Sequence, residues 1–169
     1  IFWGSSFVFV KEALATISVP LLLAVRFTLA GLLLAWGGWD RRALVPALIL
    51  GVLSFLGFMT QTVGLSITSA SNAAFITGLS VILTPLLGRL VWRQRLAPRV
   101  YAAAGVALVG LALITLQNGV GAINSGDVWV LGTALTYALY IVYLGEVAGT
   151  YRGTALAFMQ HVPMALLAW

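Results

Sequence analysis

Arg26 sits six residues after Pro20 inside a long apolar run, which places it about 9 Å along a helix axis from that proline. A charge within such a run is held by a partner, by snorkelling towards an interface, or by a ligand. Glu12, Asp40, Asp127 and Glu146 all fall near the ends of apolar runs, so none sits level with Arg26. Two roles stay open for it: capping backbone carbonyls, or recognising an anionic group. Gln61 stands among Gly51, Ser54, Gly57, Gly64 and Thr68 at three- and four-residue steps, one face of a helix. Its amide must find partners or water within a bilayer. Tyr137 and Tyr140 lie in the middle of another run, too far from its ends for simple interfacial anchoring. Asn72 and Phe75 open a further helix, where Asn72 also suits a cap. With Ser6 and Gln160 these make the candidate substrate-binding set: Ser6, Arg26, Gln61, Asn72, Phe75, Tyr137, Tyr140 and Gln160. Aromatic rings beside a few amides and hydroxyls suit a small amphipathic solute better than a bare ion.

Enzyme chemistry finds little material. The carboxylates are scattered, no GxxxxGK[ST] phosphate loop is present, and no GxSxG turn is paired with a suitable histidine. One histidine and no cysteine leave no expected metal site, and no cofactor motif appears. Lone His161 fits a packed or interfacial residue better than a proton relay. The net charge of +5 does not imply nucleic acid, because the basic residues sit in short loops between apolar runs rather than on one face.

The elements that must position these residues are membrane helices. The chain is 62% hydrophobic and 8% charged, against about 25% charged in a soluble domain. At 169 residues a soluble fold leaves roughly 30% of its chain surface in water, so this much apolar surface needs lipid. Seven runs follow: Ile1 to Leu14, Val19 to Trp39, Ala43 to Leu65, Ser69 into the arginine-rich stretch ending at Arg99, Val100 to Leu116, Asp127 to Leu144, and a last from near Gly153. The first spans only about 21 Å as a helix, short of the roughly 30 Å hydrocarbon core, and the last stops within an apolar run. The chain is therefore expected to be a piece of a longer protein. Connections after the second, fourth and sixth runs carry Arg41, Arg42, Arg93, Arg95, Arg99 and Arg152, and the alternate ones only Lys11. Positively charged loops stay cytoplasmic, which predicts a multi-pass protein of the cell (inner) membrane with its N-terminus inside. In the fourth run Ala73, Thr77, Ser80, Thr84 and Gly88 form a second small-residue stripe. A helix-packing seam and a cavity wall both fit it.

A faint internal repeat links the two ends. Aligning Trp3 with Tyr137, an offset of 134, sets Phe7-Val8-Phe9 on Ile141-Val142-Tyr143, Glu12 on Glu146, Arg26 on Gln160 and Phe27 on His161. Five helices per unit is odd, so the second unit must be inverted in the membrane. Inverted repeats with a site at their interface are the architecture of secondary transporters. The predicted fold is all-α: a transmembrane helix bundle with a first repeat over 1–117 and the start of a second over 126–169.

FWGSSFVFVKEAL, PLLLAVRFTLAGLLL, GLSITSASNAAFITGLSVILTPLLGRLVWRQRL and AAAGVALVGLALIT closely resemble the EamA-type drug/metabolite transporter family, and GDVWVLGTALTYALYIVY resembles the helix that opens its second repeat. The markers are Trp3-Gly4-Ser5, Arg26-Phe27 and Pro85; the departure is Gln94, where the family often has Glu. The resemblance implies ten helices, both termini cytoplasmic, and efflux or exchange of small metabolites such as amino acids. The expected partners are a small-molecule substrate and the lipid bilayer, with no sign of oligomeric state. A non-transporting membrane scaffold and an intramembrane enzyme are the alternatives.

Overall fold

Long uncharged runs fold as helices in hydrocarbon because a backbone there must satisfy its own hydrogen bonds. The computed structural model describes residues 2–91, 93, 97–117 and 124–169, and every regular element among them is helical. They are α1 (Phe2–Ala13), α2 (Val19–Leu33), α3 (Leu44–Ile67), α4 (Ala70–Gly78), α5 (Ser80–Leu90), α6 (Pro98–Gln117), α7 (Ser125–Val147) and α8 (Gly153–Ala168), with 3-10 turns at Ala35–Gly37 and Arg41–Ala43. Gln94, Arg95 and the connection 118–123 lie outside the described residues, as do the side chains of Trp3 and Ser5. Among the described residues three stretches are long and apolar enough to cross a membrane: Arg41–Ile67, Ala70–Leu90 and Ser125–Val147. This is a multi-pass membrane protein.

Two elements depart from the expected spans. The second run ends at Leu33 instead of Trp39 and tightens into the first 3-10 turn. A side chain on Gly37 would meet the carbonyl oxygen of Thr154 at 2.3 Å, and Gly38 adopts φ 77. The backbone turns here against the start of α8, and a left-handed glycine ends the segment at no steric cost. The fourth run breaks at Leu79, whose N–H bonds to Ile76 O three residues back, at 3.1 Å, so that α4 and α5 form one interrupted rod. Gly78 precedes the break and Pro85, lacking an N–H, follows it, and both weaken the backbone ladder of this helix.

Contacts fix the helix directions. Gly64 faces Gly126, Thr60 meets Thr133 and Gly57 faces Tyr137, so α3 and α7 run antiparallel. Gly37 faces Thr154, Gly31 faces His161 and Thr28 accepts from Trp169 Nε1, so α2 and α8 are antiparallel too. α1 finishes where α7 begins: Lys11 and Asp127 both lie at the Thr68 end of α3. The first and sixth runs of the sequence therefore point in opposite directions. α6 packs against α4 and α5 and leaves Val106, Val109 and Leu113 exposed, as an aliphatic helix at the edge of the bundle.

Candidate substrate cavity

Lipid tails are as apolar as leucine, so helices in a membrane gain little from burying oil and must gain from close packing. The α3 stripe does this at its glycines. A Cβ on Gly57 would stand 2.3 Å from Cε1 of Tyr137, and one on Gly51 would stand 2.4 Å from Pro163 Cγ and 2.5 Å from Gln160 O. A Cβ on Gly64 would lie 2.5 Å from Val130 Cγ2 and 2.7 Å from Gly126 O. Backbone meets α7 and α8 at these points. The residues between the glycines face spaces instead.

Ser54 and Phe58 of α3 wall one side of a cavity of about 340 Å³. Ser80 at the start of α5, Tyr137, Tyr140 and Ile141 of α7, and Gln160, His161 and Met164 of α8 line the rest, and the cavity is open on one side. Tyr140 donates its hydroxyl to Gln160 Oε1 at 3.1 Å, which leaves the two amide hydrogens of Gln160 available as donors. His161 Nδ1 donates to the Ala157 carbonyl at 2.7 Å, so the acceptor lone pair of the neutral ring is on Nε2. Phe58 stacks edge-on against Tyr137, with ring centroids 5.6 Å apart. The cavity thus offers aromatic faces, two serine hydroxyls, one amide and one imidazole, and no formal charge in its neutral state.

Behind Phe58 lies a narrow space of about 10 Å³ lined by Ser6, Arg26 and Gln61 with Phe7, Val10, Thr62 and Leu65. The Arg26 guanidinium lies over the Phe58 ring, 4.7 Å from its centroid, a cation–π contact that partly replaces a counter-ion. Gln61, 9% exposed, reaches Thr77 Oγ1 with its Nε2 at 3.4 Å. Phe58 separates these three polar residues from the larger cavity while forming a wall of both.

The predicted set therefore divides three ways. Tyr137, Tyr140 and Gln160 share the large cavity, Ser6, Arg26 and Gln61 gather on the far side of Phe58, and Asn72 and Phe75 stand apart. The latter two line a separate pocket of about 290 Å³ with Ile76, Leu79, Asp127, Val128 and Leu131. The α4 cap belongs to Ser69, whose Oγ accepts from Asn72 N at 3.1 Å, so the Asn72 amide is free to turn towards Asp127. Among residues given no site role from the sequence, Ser54, Phe58, Ser80 and His161 line the cavity. Ser54 and Ser80 lay on the small-residue stripes and carried a signal; a phenylalanine in an apolar helix carried none. Lys11 donates to the Leu65 and Thr68 carbonyls and closes the C-terminal turn of α3.

Comparison with known proteins supplies the context. The model of the EamA-like transporter family matches residues 1–116. An uncharacterized transporter of Archaeoglobus fulgidus is 34% identical over 168 residues, covering 98% of this chain and 53% of the relative. The uncharacterized transporter YyaM of Bacillus subtilis is 28% identical over 155 residues, covering 83% of this chain and 51% of the relative. The chain thus spans about half the length of these curated relatives. No solved structure matches.

Proposed function

The chain belongs to the EamA-like transporter family, and from that premise we propose that it forms part of a secondary transporter that exports or exchanges small amphipathic metabolites by alternating access. The cavity of about 340 Å³ between α3, α5, α7 and α8 is the observation that carries this reading. It has the size of a small-ligand pocket, apolar walls and a few convergent polar groups. Tyr140, Gln160 and His161 give a solute hydrogen-bonding partners, and Phe58 and Tyr137 give it ring faces. Arg26 serves as the charge that favours a carboxylate when a rotation of Phe58 joins the two spaces. The residues after 126 begin the second, inverted repeat in this proposal, and the opposed directions of α1 and α7 support it. The expected setting is the inner membrane with the N-terminus and the arginine loops inside.

Flux of a panel of labelled amino acids and other small amphipathic solutes into proteoliposomes, measured with the intact protein, tests the proposal. Saturable flux of one solute class, reduced by Tyr140→Phe at equal membrane abundance, is the expected result. No saturable flux for any member, in either direction and with either ion gradient, overturns it in favour of a scaffold.

A further inference from the structure

α3 and α8 leave a groove on the side of the bundle away from the substrate cavity. α8 turns Gln160, His161 and Met164 to the cavity and Val162, Pro163 and Leu166 to the groove, opposite faces of one helix. Trp39, Leu44 and Leu48 supply the facing wall, and the space between measures about 260 Å³. Its lining is hydrocarbon, the Met159 thioether and the Trp39 indole, so a polar solute finds almost nothing to bond there. Leu44, Leu48 and Leu166 stay exposed along it.

Two contacts hold the walls in place. The helices touch where Gly51 admits the Pro163 ring and the Gln160 carbonyl. Trp39 stands edge-on to Phe158, with ring centroids 6.5 Å apart. Charge gathers at one end of this groove. Arg41 and Arg42 are exposed in the 3-10 turn that leads straight into Leu44. Asp40 begins that turn, its Oδ1 accepting the Arg42 backbone N–H at 3.0 Å, so one carboxylate stands beside two guanidiniums. The Asp40 N–H meets Met159 Sδ at 3.3 Å, which puts Met159 at the arginine end. From there to Leu166 the groove follows α8 for about 10 Å.

We propose that this groove binds an anionic phospholipid of the leaflet at the Arg41 end, its phosphate on Arg41 and Arg42 and one acyl chain along Leu44, Leu48 and Leu166. Each part of the lipid meets its own chemistry. Guanidinium groups take phosphate oxygens through paired N–H donors, and basic sites beside membrane helices collect anionic headgroups. An indole settles at the headgroup boundary, where Trp39 stands between the arginines and the apolar walls. Any lipid tail wets such a groove; the two arginines at its mouth select which lipid stays. The bound lipid would tie the turn before α3 to the outer face of α8, behind the cavity wall.

Native mass spectrometry of the intact protein, delipidated in detergent and titrated with dioleoyl phosphatidylglycerol or dioleoyl phosphatidylcholine, gives the test. The first phosphatidylglycerol should bind about tenfold more tightly than the zwitterionic lipid, and Arg41→Gln with Arg42→Gln should erase the difference. Leu48→Trp, which fills the groove from an exposed position, should weaken phosphatidylglycerol about tenfold with both arginines in place; Val45→Trp repeats that reading should Leu48→Trp fail to insert. Equal binding of the two lipids, or a preference that survives loss of both arginines, overturns the site. Unchanged binding after the groove is filled does so too, since charge alone would then collect the lipid. Glycerol 3-phosphate should not displace the lipid at equal concentration; displacement would make this a site for free phosphate esters. A dimer mass that Leu48→Trp abolishes would name a second copy as the occupant instead. No solute is transported in these titrations, so their failure and that of the flux assay are distinguishable.

Discussion

Gly57 and Gly105 are both glycines of long apolar helices, yet a side chain means opposite things at the two. At Gly57 a Cβ would press into the Tyr137 ring at 2.3 Å, and that ring is already held by Phe58; at Gly105 nothing lies within 4 Å. Gly57→Ala should therefore cost about 1–3 kcal/mol through overpacking, read as a lowered unfolding temperature of the purified intact protein. Gly105→Ala should be neutral or stabilise by up to about 1 kcal/mol, the propensity difference. Equal effects of the two substitutions would mean that α3 and α7 do not meet at Gly57. At Tyr140 the informative change is the loss of one atom. Tyr140→Phe removes the donor to Gln160 Oε1, worth roughly 1 kcal/mol, and should reduce transport about fivefold to tenfold with little change in abundance. Undiminished flux would make the Tyr140–Gln160 pair a packing contact.

The α3–α7 pair is the element-scale core. Gly57, Thr60 and Gly64 meet Tyr137, Thr133 and Gly126 in turn, a register fixed by backbone proximity. The two threonine hydroxyls are 2.9 Å apart. Thr60→Cys with Thr133→Cys introduces a pair into a stretch with no cysteine of its own, and oxidation should cross-link this pair readily. Side-chain reach limits a disulfide to closely set positions, so moving the second cysteine one helical turn, to Tyr137, should abolish it. Cross-linking of Thr60 with both positions alike would contradict a fixed register. Each of these helices was legible as an apolar run. The break at Leu79 and the early end of α2 were not; the latter answers to the Gly37 backbone meeting Thr154 and not to hydropathy.

Across the molecule, Ser69 and Asn124 lie at the Thr68 end, while Arg41 and Arg152 flank the opposite end near Asp40, Met159 and Thr154. Cysteines placed singly at these four positions in whole cells should sort into two classes with an impermeant thiol reagent. Ser69 and Asn124 should label from outside, and Arg41 and Arg152 only after permeabilisation, as loop charge dictates. Labelling of Arg41 and Asn124 from the same side would refute the topology.

Hydropathy and loop charge are local properties, and they were enough to specify a helical membrane protein, the approximate runs and the expected sidedness. Spacing was enough to place Ser54 and Gln61 on one face of α3 and Thr77 and Ser80 on one stripe. Which polar groups share a space was decided only in three dimensions. That depends on the register between helices, and the register depends on where Gly51, Gly57 and Gly64 let backbones touch. Phe58 shows the limit most clearly: an apolar residue in an apolar helix, it separates Arg26 from Tyr137 because two neighbouring helices bring both to its faces. Asp127 shows the converse. From the sequence it was a carboxylate near a helix end, and only the meeting of Thr68, Asn72 and Asn124 around it makes it a buried one.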